Sequence, residues 1–549
     1  MNLAAIETPA TDQTGFPRNS AVLDFPTSAC CSGCSLKSVL IDLRWRSNSW
    51  ESHFRRVLIR EASLKQEVDD LQARVKYLER QLYARKSEQR FHTESNSNGE
   101  KDKRSRGHQT GSKGHGRREH TLLPVRDQEI RLDAQASLCV TCGKPFKSFP
   151  GTEDSEVVVL EVQAYRRRYR RYRYIPQCNC TVNPGIITAP LPSKIIRKSS
   201  IDISIWIHLL VEKYHYQRPM NRILTSLSEY GIELSAGTIG DGLKRLAPLF
   251  EVFNEPIHEK SLQEKWWHAD EMRWVVMELI EGKVTYRWWI WVFLSKSTVV
   301  YILAPGRDAG VVKDYFEGVE GGFLCVDRYS SYKCFVKTHG GFILVFCWAH
   351  VRRDFLDIGK SWSELEAWSL AWVNRIGELF HLNKQRVAHG FVTAAFHEAD
   401  VKLRQAIADM SKQRETELED KTLHRACQKA LTSLGNHWSG LTVFVDNPHI
   451  PMHNNDAEQA QRNNAVGRKN YYGSGSVESG YFTVTMFTLF QTLKLWGINL
   501  RTWLNDYLCA CAKLGGNAPA DISAFLPWNM SPEHLQRYRN PLNTLPDSS

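Results

Sequence analysis

Between residues 54 and 82 apolar side chains recur at alternating steps of three and four. The set is Phe54, Val57, Leu64, Val68, Leu71, Val75, Leu78 and Leu82, with Glu61 the one interruption. Such a seam, kept for about four heptads with Glu, Lys, Arg and Gln between, predicts a coiled coil over 51–90 that pairs copies of the chain. The alternative is one amphipathic helix packed on its own domain. Residues 1–50 show no period and read as a disordered N-terminus. From 91 to 120 aliphatic side chains are missing and Gly, Ser, Lys, Arg and His dominate, which predicts a basic flexible linker. It either touches DNA through charge alone or is inert.

Periodicity returns at 121–190 as a β-rich interval and at 199–260 as helices. In "GIELSAGTIGDGLKRLAPLF", Ser235 is the expected N-cap of a helix carrying Ile239, Leu243 and Leu246. With the preceding "RILTSLSEY" it makes a helix–turn–helix-like pair, suited to reading a DNA groove and equally to plain scaffolding. From Trp266 the pattern shifts to strands: "KWWHADEMRWVVMEL", "TYRWWIWVFLS" and "TVVYILAP" joined by hairpins. Then come helix "AGVVKDYFEGV", strand "GFLCVD", helix "RYSSYKCFV" and strand "FILVFCW". That order predicts a ribonuclease-H-like α/β core. Its first part spans 262–361 and its second 441–515, split by a helical insertion at 362–440 that either covers a DNA end or braces the fold. A C-terminal tail at 516–549 is expected to dock on the core. The whole is a multidomain α+β chain.

Composition narrows the partners. Seventy-one Lys and Arg against 60 Asp and Glu leave +11, which fits a polyanion. No run of roughly 18 apolar residues exists, so no membrane span is expected. The opening "MNLAAIETPATDQTGF" has no basic region followed by an apolar block, so the chain is expected in the cytoplasm. Thirteen cysteines are present, and seven cluster: Cys30, Cys31 and Cys34; Cys139 and Cys142; Cys178 and Cys180. Without an export signal, such clusters favour metal over disulfides. Cys139, Cys142, Cys178 and Cys180 offer four thiolates for tetrahedral Zn²⁺ in a small β module at 121–190, although the single-residue spacer of "CNC" is tight. "CCSGC" has no second pair nearby. Between the two pairs, "YRRRYRRYRY" (165–174) presents Arg166, Arg168 and Arg170 as phosphate contacts with aromatic support; a solvated sheet face is the alternative.

The acids carry the chemistry. Asp270 lies on the first core strand and Asp327 at the carboxyl end of the fourth, 57 positions on, where such sheets bind ligands. In "HNNDAEQAQRNNAVGRKN" (453–470), a helix capped by Asn455 would make Glu458 part of a capping box, a purely structural role. Against that, Glu458 shares a helix face with Gln461 and Arg462, whereas Asp456 points roughly opposite. The following "GRKNYYGSGS" has the composition expected where backbone approaches phosphates. Glu458 is therefore the candidate and Asp456 the helix-end acid. Three converging carboxylates suit Mg²⁺ or Mn²⁺, and a metal pair supports in-line displacement at phosphorus. Arg352, Arg353, Arg462, Arg468 and Lys469 are the expected phosphate ligands. Glu271 should face away from Asp270. Cys347 and His350, three apart in "CWAH", read as a metal pair or as a buried Cys beside a hydrogen-bonded His.

Taken in order, "WWHADEM", "GFLCVDRYSSYK", "CWAHVRRDF" and "NNDAEQAQRNNAVGRKNYYGSGS" resemble the blocks of the insertion-sequence-66 family of transposases. The likeness extends to "KYHYQRPMNRILTSLSEYGIELSAGTIGDGLKR", the cysteine pairs and "NLRTWLNDYL", over roughly residues 60–530. It implies a DDE transposase whose catalytic Asp, Asp and Glu fall on Asp270, Asp327 and Glu458. Double-stranded DNA (element ends and target) would be the partner, together with a second copy of the chain and small accessory proteins of the same element. DNA-bound protein would associate with the nucleoid. The chain departs from the family pattern at His453 (usually Asp), at Gln459 (usually Arg) and in the shorter second cysteine spacer. Two other functions fit the same residues: a metal-dependent nuclease without strand transfer, and a non-catalytic DNA-binding regulator.

Overall fold

The computed structural model describes residues 39, 42–61 and 64, scattered positions between 125 and 190, and 191–539 apart from 283, 284 and 392. Two compact units separate, the first made of residues 1–95 with 360–363. In it the described residues form helix α1 (42–61), on which Leu43, Trp50, Phe54 and Val57 are all exposed. The heptad seam beyond Leu64 lies outside the described residues.

The second unit begins with a two-residue ladder in which β1 (Arg173–Tyr174) pairs antiparallel with β2 (Ile187–Thr188). Most of the Arg/Tyr stretch has no regular structure, and Arg166, Arg168 and Arg170 are exposed. Of the four expected zinc ligands only Cys142 is described, and it is exposed. Cys139, Cys178 and Cys180 lie outside the described residues.

Helices follow: α2 (Ile203–Leu210) running into a π-helical turn (Val211–His215), α3 (Met220–Ser228), α4 (Ala236–Glu251) and α5 (Asn254–Leu262). Ser235 caps α4 by accepting from Thr238 N–H at 3.1 Å. Gly242 of α4 lies against the buried ring of Trp206 on α2, and a Cβ there would stand 2.0 Å from the ring's Cη2 atom. Gly242→Ala is therefore expected to destabilise the chain by about 1–3 kcal/mol through overpacking, read as a lowered melting temperature.

The central sheet contains β3 (Trp266–Val275), β4 (Arg287–Leu294), β5 (Val299–Ala304), β6 (Gly322–Val326) and β7 (Phe342–Phe346), in the order β5-β4-β3-β6-β7. The first three are antiparallel neighbours, while β6 and β7 run parallel to β3. Helix α6 (Ala309–Tyr315) joins β5 to β6, and α7 (Ser330–His339) joins β6 to β7. The α7–β7 turn needs positive φ at Gly340 (58°) and Gly341 (67°), which glycine adopts without steric cost. Below the sheet Trp267, Phe293, Tyr315, Phe316 and Phe342 form an aromatic core, with Phe293 and Tyr315 stacked at 3.8 Å.

After β7 come α8 (Trp348–Ser361), the long antiparallel helices α9 (Glu366–Ala388) and α10 (Ala394–Glu419), α11 (Arg425–Asn436), and the short α12 (Trp438–Leu441) and α13 (Val443–Asp446). The chain then returns to the sheet through α14 (Asn455–Tyr471) and α15 (Val477–Leu495). An open edge at β5 would leave its amides unpaired. Two threonine hydroxyls of α15 cover it: Thr492 accepts from Val299 N–H at 3.0 Å and Thr488 from Tyr301 N–H at 2.9 Å. Helices α16 (Leu500–Lys513) and α17 (Pro532–Arg539) finish the described chain, and Tyr538 C=O accepts from Asn499 N–H at 2.8 Å, holding the tail to the start of α16. No helix among the described residues is long and apolar enough to cross a membrane.

Candidate active site

Strand register sets the first two acids. In the parallel pair β3·β6, Trp266 lies opposite Phe323, Trp267 opposite Leu324 and His268 opposite Cys325. Each pair is 57 positions apart, and so are Asp270 and Asp327. Asp270 follows on β3 and Asp327 is the residue just past the end of β6, so both lie toward the same end of two neighbouring strands, whose spacing is about 4.8 Å. Asp327 Oδ1 accepts from Tyr329 N–H at 2.8 Å, which turns the chain out of β6.

Helix α14 carries Glu458 and packs on the sheet. Gln461 donates to Ile290 C=O at 3.0 Å and to Asp270 C=O at 3.4 Å, while Ala460 C=O accepts from Tyr301 O–H at 2.9 Å. Glu458 lies one turn earlier on the Gln461 face. The helix begins one residue before the position expected, with Asn454 as N-cap and no side-chain cap bond. The capping box of Asn455 and Glu458 is absent because the buried Asn454 side chain is spent elsewhere. Its amide donates to Ala269 C=O at 2.7 Å, and its oxygen meets His268 Nδ1 at 2.8 Å. Glu458 is therefore freed from capping. Asp456 sits half exposed, 3.4 Å from His268 Nε2, and that imidazole holds its carboxyl below the usual range.

The Asp270 carboxyl feels the charge of the other two acids, although among the described residues the one group of three metal-capable ligand atoms within 4.8 Å of one another is Cys347, His350 and Glu458. Burial, then the charges of Glu271, Asp327 and Glu458, push the Asp270 carboxyl up to about 7. Among the described residues no lysine or arginine lies within ion-pair distance of any of the three. Glu271 faces the other way, buried against Arg307 and the Tyr332 hydroxyl. Beside Glu458 stands the "CWAH" turn. Cys347 N–H donates to Val326 C=O at 3.2 Å, so this turn shares the carboxyl edge of β6. His350 Nε2 lies 3.4 Å from Glu458 Oε1, which is buried and has no hydrogen-bond partner. Contact with Cys347, and secondarily the Glu458 charge, raises the His350 imidazole. Burial would raise the Cys347 thiol, but His350 and the Asn454 amide bring it below its ordinary value.

The family model described as Transposase IS66 family matches residues 198–481. The chain belongs to that family. Its relatives include three proteins of Sinorhizobium fredii (strain NBRC 101917 / NGR234), each described as an uncharacterized protein. Similarity to y4jD is 25% identity covering 74% of this chain and 81% of that protein. For y4qI it is 26%, covering 64% and 67%, and for y4hP 22%, covering 71% and 73%. No solved structure matches. Membership in the IS66 family makes the chain a DNA-processing enzyme of the transposase class, with DNA as partner and dependence on a divalent metal.

The IS66 match spans Asp270, Asp327, Glu458 and the "CWAH" turn, and ends before the tail. Within it the expected phosphate ligands divide. Arg353 on α8 and Arg462 and Lys469 on α14 are exposed, and Arg352 is partly so. Arg468 instead donates to Arg273 C=O at 3.0 Å and braces β3. The glycine-rich stretch also serves the sheet: Ser474 N–H donates to Val275 C=O at 2.8 Å, and a Cβ on Gly473 would strike that carbonyl. Sequence reasoning missed the His268–Asn454–Asp456 bracket. The adjacent "NND" asparagines were a signal for polar contacts, but their partner lies 186 residues away.

Proposed function

We propose that the chain is a DNA transposase that cleaves strands at the ends of an insertion sequence and transfers them to a target, with Asp270, Asp327 and Glu458 as ligands of two Mg²⁺ or Mn²⁺ ions. The observation that supports this reading is the shared 57-residue offset of the β3·β6 ladder and the two aspartates, with α14 packing its Gln461 face on β3 and β4. The strand order, three antiparallel and two parallel, is what a ribonuclease-H-like core requires. The donor set fits hard divalent cations: oxygen only, half-buried, and with no lysine or arginine paired to it among the described residues. When bound, such ions activate an attacking hydroxyl and stabilise the leaving oxygen.

The protein's own groups do the rest. Asp270 and Asp327 are held by backbone register, and Glu458 by a helix clamped through Gln461. Arg352, Arg353, Arg462 and Lys469 offer charge for DNA phosphates around the site, and Arg166, Arg168 and Arg170 offer it farther out. Zn²⁺ at Cys139, Cys142, Cys178 and Cys180 would staple the β module, and the 51–90 seam would pair two copies on DNA. Small accessory proteins of the element fit the same assembly.

An end-joining assay with the full chain, element-end DNA and Mg²⁺ tests the reading. Joined product, lost on chelation, is the expected result. Nicks without joining would indicate a nuclease, and retention of DNA without chemistry a regulator; either outcome overturns strand transfer.

A pH dependence follows from Asp270. Its folded pKa lies above the ordinary carboxyl value, so its contribution to stability is present at low pH and lost as pH rises through about 7. Protons also compete there with metal. At this site the metal-free protein should melt lower at pH 8 than at pH 6, and Mg²⁺ should raise the melting temperature more at pH 8. Asp270→Asn should remove both differences, as read by thermal denaturation.

A further inference from the structure

A second ligand set shares Glu458. Cys347, His350 and Glu458 each offer one ligand atom, and these atoms all lie within 4.8 Å of one another. They come from three places, the exit of β7, the first turn of α8 and the first turn of α14, so folding alone assembles them. Each atom is in a state that suits a metal. The buried Cys347 Sγ already accepts a hydrogen bond from Asn454 N–H at 3.2 Å, a contact that favours the thiolate. His350 is a quarter exposed, which leaves an entry path. Glu458 Oε1 is buried and makes no hydrogen bond, with His350 Nε2 beside it at 3.4 Å, so a shared cation would satisfy both atoms.

The donor chemistry separates this set from the aspartates. A thiolate with an imidazole is a poor home for Mg²⁺ but a good one for a borderline-soft cation. In tetrahedral zinc geometry the ligand atoms would stand roughly 3.3–3.8 Å apart, so small side-chain rotations suffice. Three protein ligands leave a fourth position for water or a phosphate oxygen, the pattern of an open site rather than a closed structural one. We infer that Cys347, His350 and Glu458 form a three-ligand site for a zinc-type divalent cation, and that the Glu458 carboxylate bridges it to the aspartate site through its two oxygens. The cation would lock the third acid in place from the side opposite the DNA-processing metals. The three-ligand site stands apart from the strand-transfer reading, whereas its bridging to the aspartates rests on that reading.

Zinc bound per chain, measured by elemental mass spectrometry on the full-length protein purified without chelator or added metal, tests this. One equivalent should be lost in both Cys347→Ser and His350→Ala and kept in Asp270→Asn. His350→Cys should regain it, because a thiolate replaces the lost ligand, whereas a merely hydrogen-bonded imidazole would not be rescued in this way. Thermal unfolding of each variant shows whether the fold is kept. An unchanged zinc count in Cys347→Ser and His350→Ala overturns the site, and so does a loss that His350→Cys fails to restore. Zinc counting involves no DNA, so its failure is distinct from a failure of end joining.

Discussion

Glu458→Ala is expected to lower strand cleavage and joining by about 1,000-fold while leaving retention of element-end DNA within a few-fold of the parent. That factor corresponds to about 4 kcal/mol, the scale of losing one ligand from a preorganised cation site. The neighbouring acid provides the contrast. Asp456 is half exposed and turned to His268, so Asp456→Ala should change rates only several-fold, through a looser start to α14. Reversal of the two effects would move the third acid to Asp456. Glu458→Gln, nearly isosteric, should fail as badly as alanine, because the defect is loss of charge and not of packing. Binding measured by gel shift and chemistry measured by product formation separate the two effects.

Arg386→Met should cost about 3–5 kcal/mol of stability, the largest structural effect foreseen for a single side chain. The Arg386 guanidinium is wholly buried. It reaches Asp400 at 2.6 Å, Asn383 at 2.8 Å, Phe444 C=O at 2.7 Å and Val445 C=O at 2.9 Å. These bonds tie α9 and α10 to α13, just ahead of the loop that leads into α14. Methionine replaces the volume but leaves the Phe444 carbonyl without that donor and the partly buried Asp400 carboxylate with one arginine fewer; Arg404, at 2.7 Å from Asp400, remains. Arg386→Lys should recover only part of the loss, since a single ammonium cannot span a carboxylate and two carbonyls. Chemical denaturation with a fixed slope checks both variants, and a shift under 1 kcal/mol would show that the insertion is not held through this residue.

The core was legible because its signals are local. Continuous apolar runs such as "WWIWVFL" have strand length, and the alternation of strand and helix orders the sheet before any contact is known. Separating Glu458 from Asp456 by face needed only the 100° advance per residue, and α14 lays its Gln461 face on β3 and β4. What escaped is non-local. Asn454 rather than Asn455 heads α14 because its side chain answers a histidine on another strand, a competition that local capping preferences do not contain. The stretch holding Arg468 and Ser474 reads as a phosphate contact from composition, whereas the bonds of Arg468 to Arg273 C=O and of Ser474 to Val275 C=O depend on a strand about 200 residues upstream. Cys347 and His350 looked like half a site until α14 supplied the carboxylate. The "CVTC" and "CNC" pairs and most of the heptad seam lie outside the described residues, so zinc there and pairing of chains rest on their sequence patterns.

Electron paramagnetic resonance of Mn²⁺ bound to the full chain on element-end DNA tests the central claim most directly. The account predicts the exchange-coupled signal of two adjacent manganese ions, present in the parent protein and lost in Asp270→Asn, in Asp327→Asn and in Glu458→Gln alike. A coupled pair that survives any one of these substitutions, or a parent protein that binds only isolated ions, would contradict it.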